Sequence, residues 1–127
     1  MKLESIQLVP PRYPKTLTTK EIQSKEAELL MDRIQSFDQV MLIDEEGMTY
    51  SSLKFADFVQ VQMSRGIKNL CLVIGGAYGF AETIKRNYPK RLSLSDLTMS
   101  HHLARLVLLE QLYRAFTIIN NEPYHNQ

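Results

Sequence analysis

A chain of 127 residues suits one domain with a real but modest core. Fifteen basic against 14 acidic residues leave a net charge near +1, which excludes a polycationic nucleic-acid binder but not a local basic face. No run reaches the ~18–20 consecutive apolar residues of a membrane span, and the single cysteine, Cys71, excludes a disulfide framework.

The opening MKLESIQLVPPRYP has a short apolar stretch interrupted by Glu4 and closed by Pro10-Pro11. That is not the pattern of a secretory leader, so a cytoplasmic protein is expected. Residues 5–9 alternate weakly and predict a short strand ended by the proline-rich loop. Thr18 or Thr19 then suits the N-cap of a helix through Arg33, with Ile22, Ala27, Leu29, Leu30 and Ile34 as its apolar face. Residues 39–44, QVMLID, read as a buried parallel strand that turns at Glu45-Glu46-Gly47. Ser51 or Ser52 caps a second helix carrying Phe55, Phe58, Val59 and Met63, and Gly66 stops it.

Residues 69–74 form the next predicted strand, which runs straight into a glycine-rich turn within LVIGGAYGF, residues 72–80. A short helix from residue 81 to about 87 ends near Pro89. A brief strand over 91–94 and a loop over 95–100 follow. The strongest pattern comes last, a helix over 102–119 with apolar residues at 103, 106, 107, 108, 109, 112, 113, 116 and 119. That is wider than one stripe and predicts burial on two sides, the second suiting another subunit. The tail 120–127 is polar, with Pro123, Tyr124 and His125.

Strands alternating with helices predict a three-layer α/β fold with a parallel sheet. Ligands of such sheets bind beyond the carboxyl ends of the strands, here the loops after Ile43 and at Gly75-Gly76. The glycine turn lacks the spacing of a dinucleotide fingerprint and the lysine of a P-loop, so it makes a poor phosphate cradle. Close approach to a ligand and a tight packing turn both remain open for it. Asp44, Glu45 and Glu46 point apart as neighbours on a turn and read as solvated, with Asp44 facing a cleft. His101 and His102 lack metal-ligand spacing to any other His, Cys or carboxylate, and no metal is expected. No Ser-His-Asp or Cys-His order stands out. Cys71, inside an apolar run, reads as a core residue rather than a nucleophile.

An ordered series runs through the second half: I-G-G-x-x-G from Ile74, L-S-x-x-T from Leu94, H-x-x-x-R from His101, E-Q-L-Y-R-A from Glu110 and N-E-P-Y-H from Asn121. With this spacing the chain, from about residue 4 to 127, closely resembles the ribosomal RNA large subunit methyltransferase H family. That family belongs to the SPOUT, or α/β-knot, methyltransferases. The resemblance implies one SPOUT domain over 1–127 with a C-terminal trefoil knot, a rare exception to the avoidance of knots. It implies a homodimer that uses S-adenosyl-L-methionine to methylate N3 of a pseudouridine in 23S ribosomal RNA of the assembled ribosome, with no DNA and no membrane partner.

By position, the resemblance assigns the cofactor to Ile43, Gly75, Leu94, Ser95, Asp96, Leu97, Thr98 and Met99. It leaves the catalytic base open between His101 and His125, and offers Arg105, Tyr124 and His125 as RNA contacts. Each site would be composite, the tail of one chain lying near the cofactor pocket of the other. Two departures stand out. Family members open with a further strand and helix, so the N-terminal strand–helix unit is expected to be missing here, which exposes a sheet edge. Ser100 and His102 stand where many relatives carry Pro and Gln or Pro. The first departure motivates an alternative, a degenerate SPOUT domain that binds RNA or a partner without turnover. Another RNA substrate, such as tRNA, is a third reading.

Overall fold

The computed structural model describes residues 12–76 and 78–126; the strand expected over residues 5–9 lies outside them. The elements are α1 (Thr19–Ile34), β1 (Gln39–Thr49), α2 (Ser52–Ser64), β2 (Leu70–Ile74), α3 (Glu82–Asn87), β3 (Arg91–Ser93) and α4 (His101–Ile119). The sheet has the order β2-β1-β3, with both pairings parallel. Because β1 is central, its side chains are covered on both faces, and Val40 through Ile43 are all buried. Period-2 alternation divides them. Met41 and Ile43 pack with Phe55 and Val59 of α2 and Leu108 and Leu112 of α4. Val40 and Leu42 pack with Ala27 and Ile34 of α1 and Ile84 of α3. This is the three-layer α/β arrangement the alternation of elements predicts.

The helices start where their caps place them. Thr18 Oγ1 accepts the Glu21 N–H at 3.1 Å, and the Glu21 carboxylate accepts the Thr18 N–H at 3.4 Å, a reciprocal capping box. Ser51 accepts from the Lys54 N–H at 3.1 Å, and Ser100 from the Leu103 N–H at 3.3 Å. Ser100 therefore opens α4 at His101, one residue before the predicted start at His102. Gly66, at φ 74°, closes α2 as expected.

Three details differ from expectation. β1 does not turn at Glu45-Glu46-Gly47 but runs on to Thr49. Ile43 and Met48 both align with Leu92, so residues 44–47 bulge out of the ladder with β3. Gly47 is needed there for space: a Cβ would stand 2.7 Å from the Arg91 carbonyl carbon. In α2, Gln62 is buried and Met63 exposed, because Gln62 completes the i, i+4, i+7 row from Phe55 and Val59. In α1, Leu30 and Met31 join the core while Leu29 faces out, for the same reason.

On α4, Leu108, Leu112 and Ala115 form the buried row against α2. Leu103, Leu106 and Tyr113 are 47%, 64% and 57% exposed, so one chain covers only one of the two sides the pattern predicts. Cys71 is half-buried against the α1 side of the sheet, and burial pushes its thiol pKa up, which suits a packing residue.

Candidate active site

Parallel pairing sets the bulge of β1 beside the carboxyl ends of β2 and β3, and a cleft of about 520 Å³ opens there. Ile43 and Asp44 reach it from β1, Ile74 and Gly75 from β2, and Ser93 and Leu94 from β3. The loop after β3 and the first turn of α4, with His101 and Ala104, close the far side. The size falls within the ~300–1,000 Å³ typical of small-molecule sites.

Seven of the eight residues singled out for a cofactor line this cleft: Ile43, Gly75, Leu94, Ser95, Leu97, Thr98 and Met99. Asp96 is exposed and is not among the lining residues. Local hydrogen bonds shape the loop. Buried Ser93 donates its hydroxyl to the Ser95 carbonyl at 3.0 Å, and Ser95 Oγ accepts the Leu97 N–H at 2.9 Å. Leu97 is left 76% exposed on the lip.

The glycine turn is tied down from behind. Gln23 of α1 donates its side-chain amide to the Tyr78 carbonyl, and the Gly79 N–H donates to the Gly76 carbonyl at 3.1 Å. Glu26, whose carboxyl pKa is raised by burial, would stand 3.0 Å from a Cβ on Gly76. A Cβ on Gly75 would lie 3.0–3.2 Å from three carbons of the Phe80 ring, which is itself buried. The φ of Gly75 lies outside the left-handed region, so this glycine meets a demand for space, and the group that makes it is Phe80. Phe80, Gly76 and Gly79 also line the cleft.

The acidic triplet carries the electrostatics that a local reading misses. Asp44 faces the cleft as expected, and Glu45 and Glu46, though exposed, stand on its rim. Asp44 is bonded by Arg91 at 2.9 Å, and Glu46 lies 3.8 Å from both Arg91 and Lys85. Thr98 donates its hydroxyl across to Glu45 at 3.4 Å. No local signal gives this: it takes the contact of Gly47 with Arg91 to make three carboxylates and a glycine a bulge rather than a turn.

Tyr124 and His125 lie elsewhere, folded back on the middle of α4. Arg114 grips Glu110 Oε1 through Nε at 2.9 Å and Nη2 at 2.7 Å, and reaches His125 Nδ1 through Nη1 at 3.0 Å. A guanidinium only donates, so Nδ1 accepts and the ring proton belongs on Nε2. The Tyr124 hydroxyl donates to Glu110 at 3.3 Å, and its ring packs edge-on to Tyr113 and beside the Arg114 guanidinium. Hydrogen bonding from Arg114 holds the Glu110 carboxyl below its ordinary range. At 1.5 Å per residue, the turn carrying Arg114 stands about 20 Å along α4 from His101. The exposed Arg105 is one turn beyond His101 and does not line the cleft. Among the described residues, no group of three His, Cys, Asp or Glu is placed to hold a metal, and no helix is long and apolar enough to cross a membrane.

A family described as "Predicted SPOUT methyltransferase" matches residues 1–125. The chain belongs to the SPOUT methyltransferase family. Relatives named "Ribosomal RNA large subunit methyltransferase H" extend the match. The protein of Flavobacterium johnsoniae is 47% identical over 113 residues, 89% of this chain and 72% of the relative. That of Parabacteroides distasonis is 40% identical over the same shares. That of Cytophaga hutchinsonii is 37% identical over 126 residues, 99% of this chain and 81% of the relative. At these identities and coverages the chain also belongs to the large subunit methyltransferase H group. The parallel α/β sheet of the SPOUT chain, and the cleft at its carboxyl edge, are thus those of a methyltransferase family.

Proposed function

We propose that this chain methylates N3 of a pseudouridine in 23S ribosomal RNA of the assembled ribosome, using S-adenosyl-L-methionine, as a cytoplasmic homodimer. The observation that carries this reading is the convergence of seven motif residues on one cleft, in a chain 47% identical to a protein named as a large-subunit rRNA methyltransferase.

The residues present fit the donor. Ile43, Leu97 and Met99 offer apolar walls for a planar adenine, and the open backbone at Gly75 and Gly76 offers main-chain polar groups. Carboxylates at the rim suit a cation. When bound, the donor supplies an electrophilic methyl group on a positively charged sulfur. The chain's own contribution is placement, holding the acceptor nitrogen in line with that methyl, and this proximity is worth several kcal/mol of barrier. The acceptor must also shed its N3 proton. His101 lines the cleft and takes the role of base, and Tyr124 and His125 serve as RNA contacts.

The position of the tail supports the dimer reading. A chain's own Tyr124 and His125 fold back on Glu110 and Arg114, about 9–15 Å along α4 beyond Ala104, the last residue of the helix that lines its own cleft. A second copy, packed on the open stripe of Leu103, Leu106 and Tyr113, supplies the tail. Such an interface must bury about 1,200 Å² or more in total. Mass spectrometry of 23S rRNA from a deletion strain tests the assignment: the methylated pseudouridine is expected to disappear and to return on complementation. An unchanged signal in the deletion strain refutes it.

A further inference from the structure

The three carboxylates on the rim of the cleft are unequally neutralised. Asp44 is held by Arg91 at 2.9 Å, and Glu46 shares Arg91 and Lys85 at 3.8 Å. Glu45 has no cation among the described residues. Its side chain instead accepts the Thr98 hydroxyl at 3.4 Å, a bond between residues 53 apart that spans the mouth of the cleft. An exposed carboxylate is ordinarily just solvated. What sets Glu45 apart is that its unbalanced charge is fastened to the loop that forms the opposite wall of the cleft.

We propose that Glu45 is a specificity-determining residue that selects the cationic methyl donor over its neutral product. The inference rests on the reading of this cleft as a methyl-donor pocket. In the transfer, the S–CH3 bond breaks with its electron pair left on sulfur, an N–CH3 bond forms, and the N3 proton leaves to the base. One positive charge on sulfur is cancelled, while the adenine, ribose, ammonium and carboxylate are unchanged. Donor and product therefore differ at the cleft by a methyl group and a charge. The apolar walls sense the methyl group; among the carboxylates on the rim, Glu45 is the one whose field no cation of the described residues cancels. Asp44 and Glu46 are poor at the task, because their fields are already cancelled by Arg91 and Lys85. The same asymmetry lets the product leave more readily than the donor.

The test is calorimetric binding of three ligands to the full chain. They are S-adenosylmethionine, neutral S-adenosylhomocysteine, and sinefungin, which carries an ammonium in place of the sulfonium. Glu45→Gln is expected to weaken the two cationic ligands about fivefold at low salt, the size of a single charge pair seen through water, and to leave S-adenosylhomocysteine unchanged. Glu46→Gln is expected not to alter the ratio between cationic and neutral ligands. Equal weakening of all three ligands by Glu45→Gln, or no weakening, overturns the proposal. Should that variant not fold, the wild-type chain carries the test. Its preference for the cationic ligands must shrink toward 0.5 M salt, where charges are screened within about 4 Å, and a salt-independent preference overturns the proposal. If the wild-type chain binds none of the three, the donor reading itself falls, a result distinct from failure of the charge discrimination.

Discussion

Gly75 is the residue at which packing and ligand binding can be separated by experiment. A methyl group there would meet three ring carbons of Phe80 at 3.0–3.2 Å, well inside the ~3.5–4.0 Å optimum for carbon pairs. Phe80 is buried against Ile84, Val73 and the α1 side of the sheet, so the ring cannot simply swing into water. Overpacking of this kind costs about 1–3 kcal/mol, and Gly75→Ala is expected to lower the urea-unfolding free energy by about 2 kcal/mol. Phe80→Leu removes the obstructing ring atoms. In that background the added methyl is expected to cost less than about 0.5 kcal/mol, a coupling of about 1.5 kcal/mol. Phe80 and Gly75 both line the cleft, so S-adenosylmethionine affinity, read by calorimetry on the same four proteins, follows the ring. It falls in Gly75→Ala and recovers in part in the double variant. Additive stability losses, or donor affinity that stays lost after the ring is removed, would refute the reasoning and assign the bare Cα to direct contact with the ligand.

The tail clasp predicts a pH dependence. Glu110 is held below the ordinary carboxylate range by Arg114, so its contribution is present above that range and is lost as pH falls through the lowered value. The stability difference between wild type and Glu110→Gln is thus expected at pH 7 and shrinks as pH falls through that lowered value, and a carbon-detected titration of Glu110 should shift up in Arg114→Ala. Gln62 is buried with an Oε1 that has no hydrogen-bond partner among the described residues. Gln62→Met is expected to raise stability by about 1 kcal/mol, and a loss in thermal unfolding would contradict that account. Leu106→Asp, on the open stripe of α4, should yield a folded monomer by sedimentation, whereas an unchanged dimer would move the interface elsewhere. Mixing inactive His125→Ala chains with inactive Glu45→Ala/Leu97→Asp chains should restore about a quarter of wild-type activity, since half the dimers hold one intact site of two; no recovery would place tail and cleft in the same chain.

Much of the fold was legible because it is written locally. Thr18, Ser51 and Ser100 announce helix starts through bonds that reach only three residues along the chain. The run QVMLID announces a strand covered on both faces. What escaped depends on contacts between distant residues. Nothing near Gly47 says that it lies against Arg91, and without that contact three carboxylates before a glycine look like a turn. Met63 and Leu29 are apolar, and only the packing direction of each helix reveals that Gln62 and Met31 take the inward positions. The loop over residues 94–99 was legible as part of an ordered motif series. Its partners Glu45 and Phe80, and the hold of Gln23 on Tyr78, arise only once the strand order β2-β1-β3 sets the loops side by side. The clasp of Arg114 on His125 likewise required the chain to fold back after Asn121, which takes the left-handed conformation at φ 57°.

The placement of charge along α4 bears on how two such chains meet. At the start of the helix stands a cleft rimmed by Asp44, Glu45 and Glu46; further along it Glu110 fixes the Arg114 guanidinium, which in turn holds His125. In the proposed dimer a two-fold axis across α4 would make the contact isologous, so the middle of one helix could approach the start of the other in both halves at once. That geometry would bring Tyr124 and His125 of one chain toward the cleft of the other, whose walls are apolar, acidic and hydroxyl-bearing. On that proposal α4 serves as a spacer as much as a core helix, and its exposed stripe of Leu103, Leu106 and Tyr113 is the surface that joins the two halves of the site.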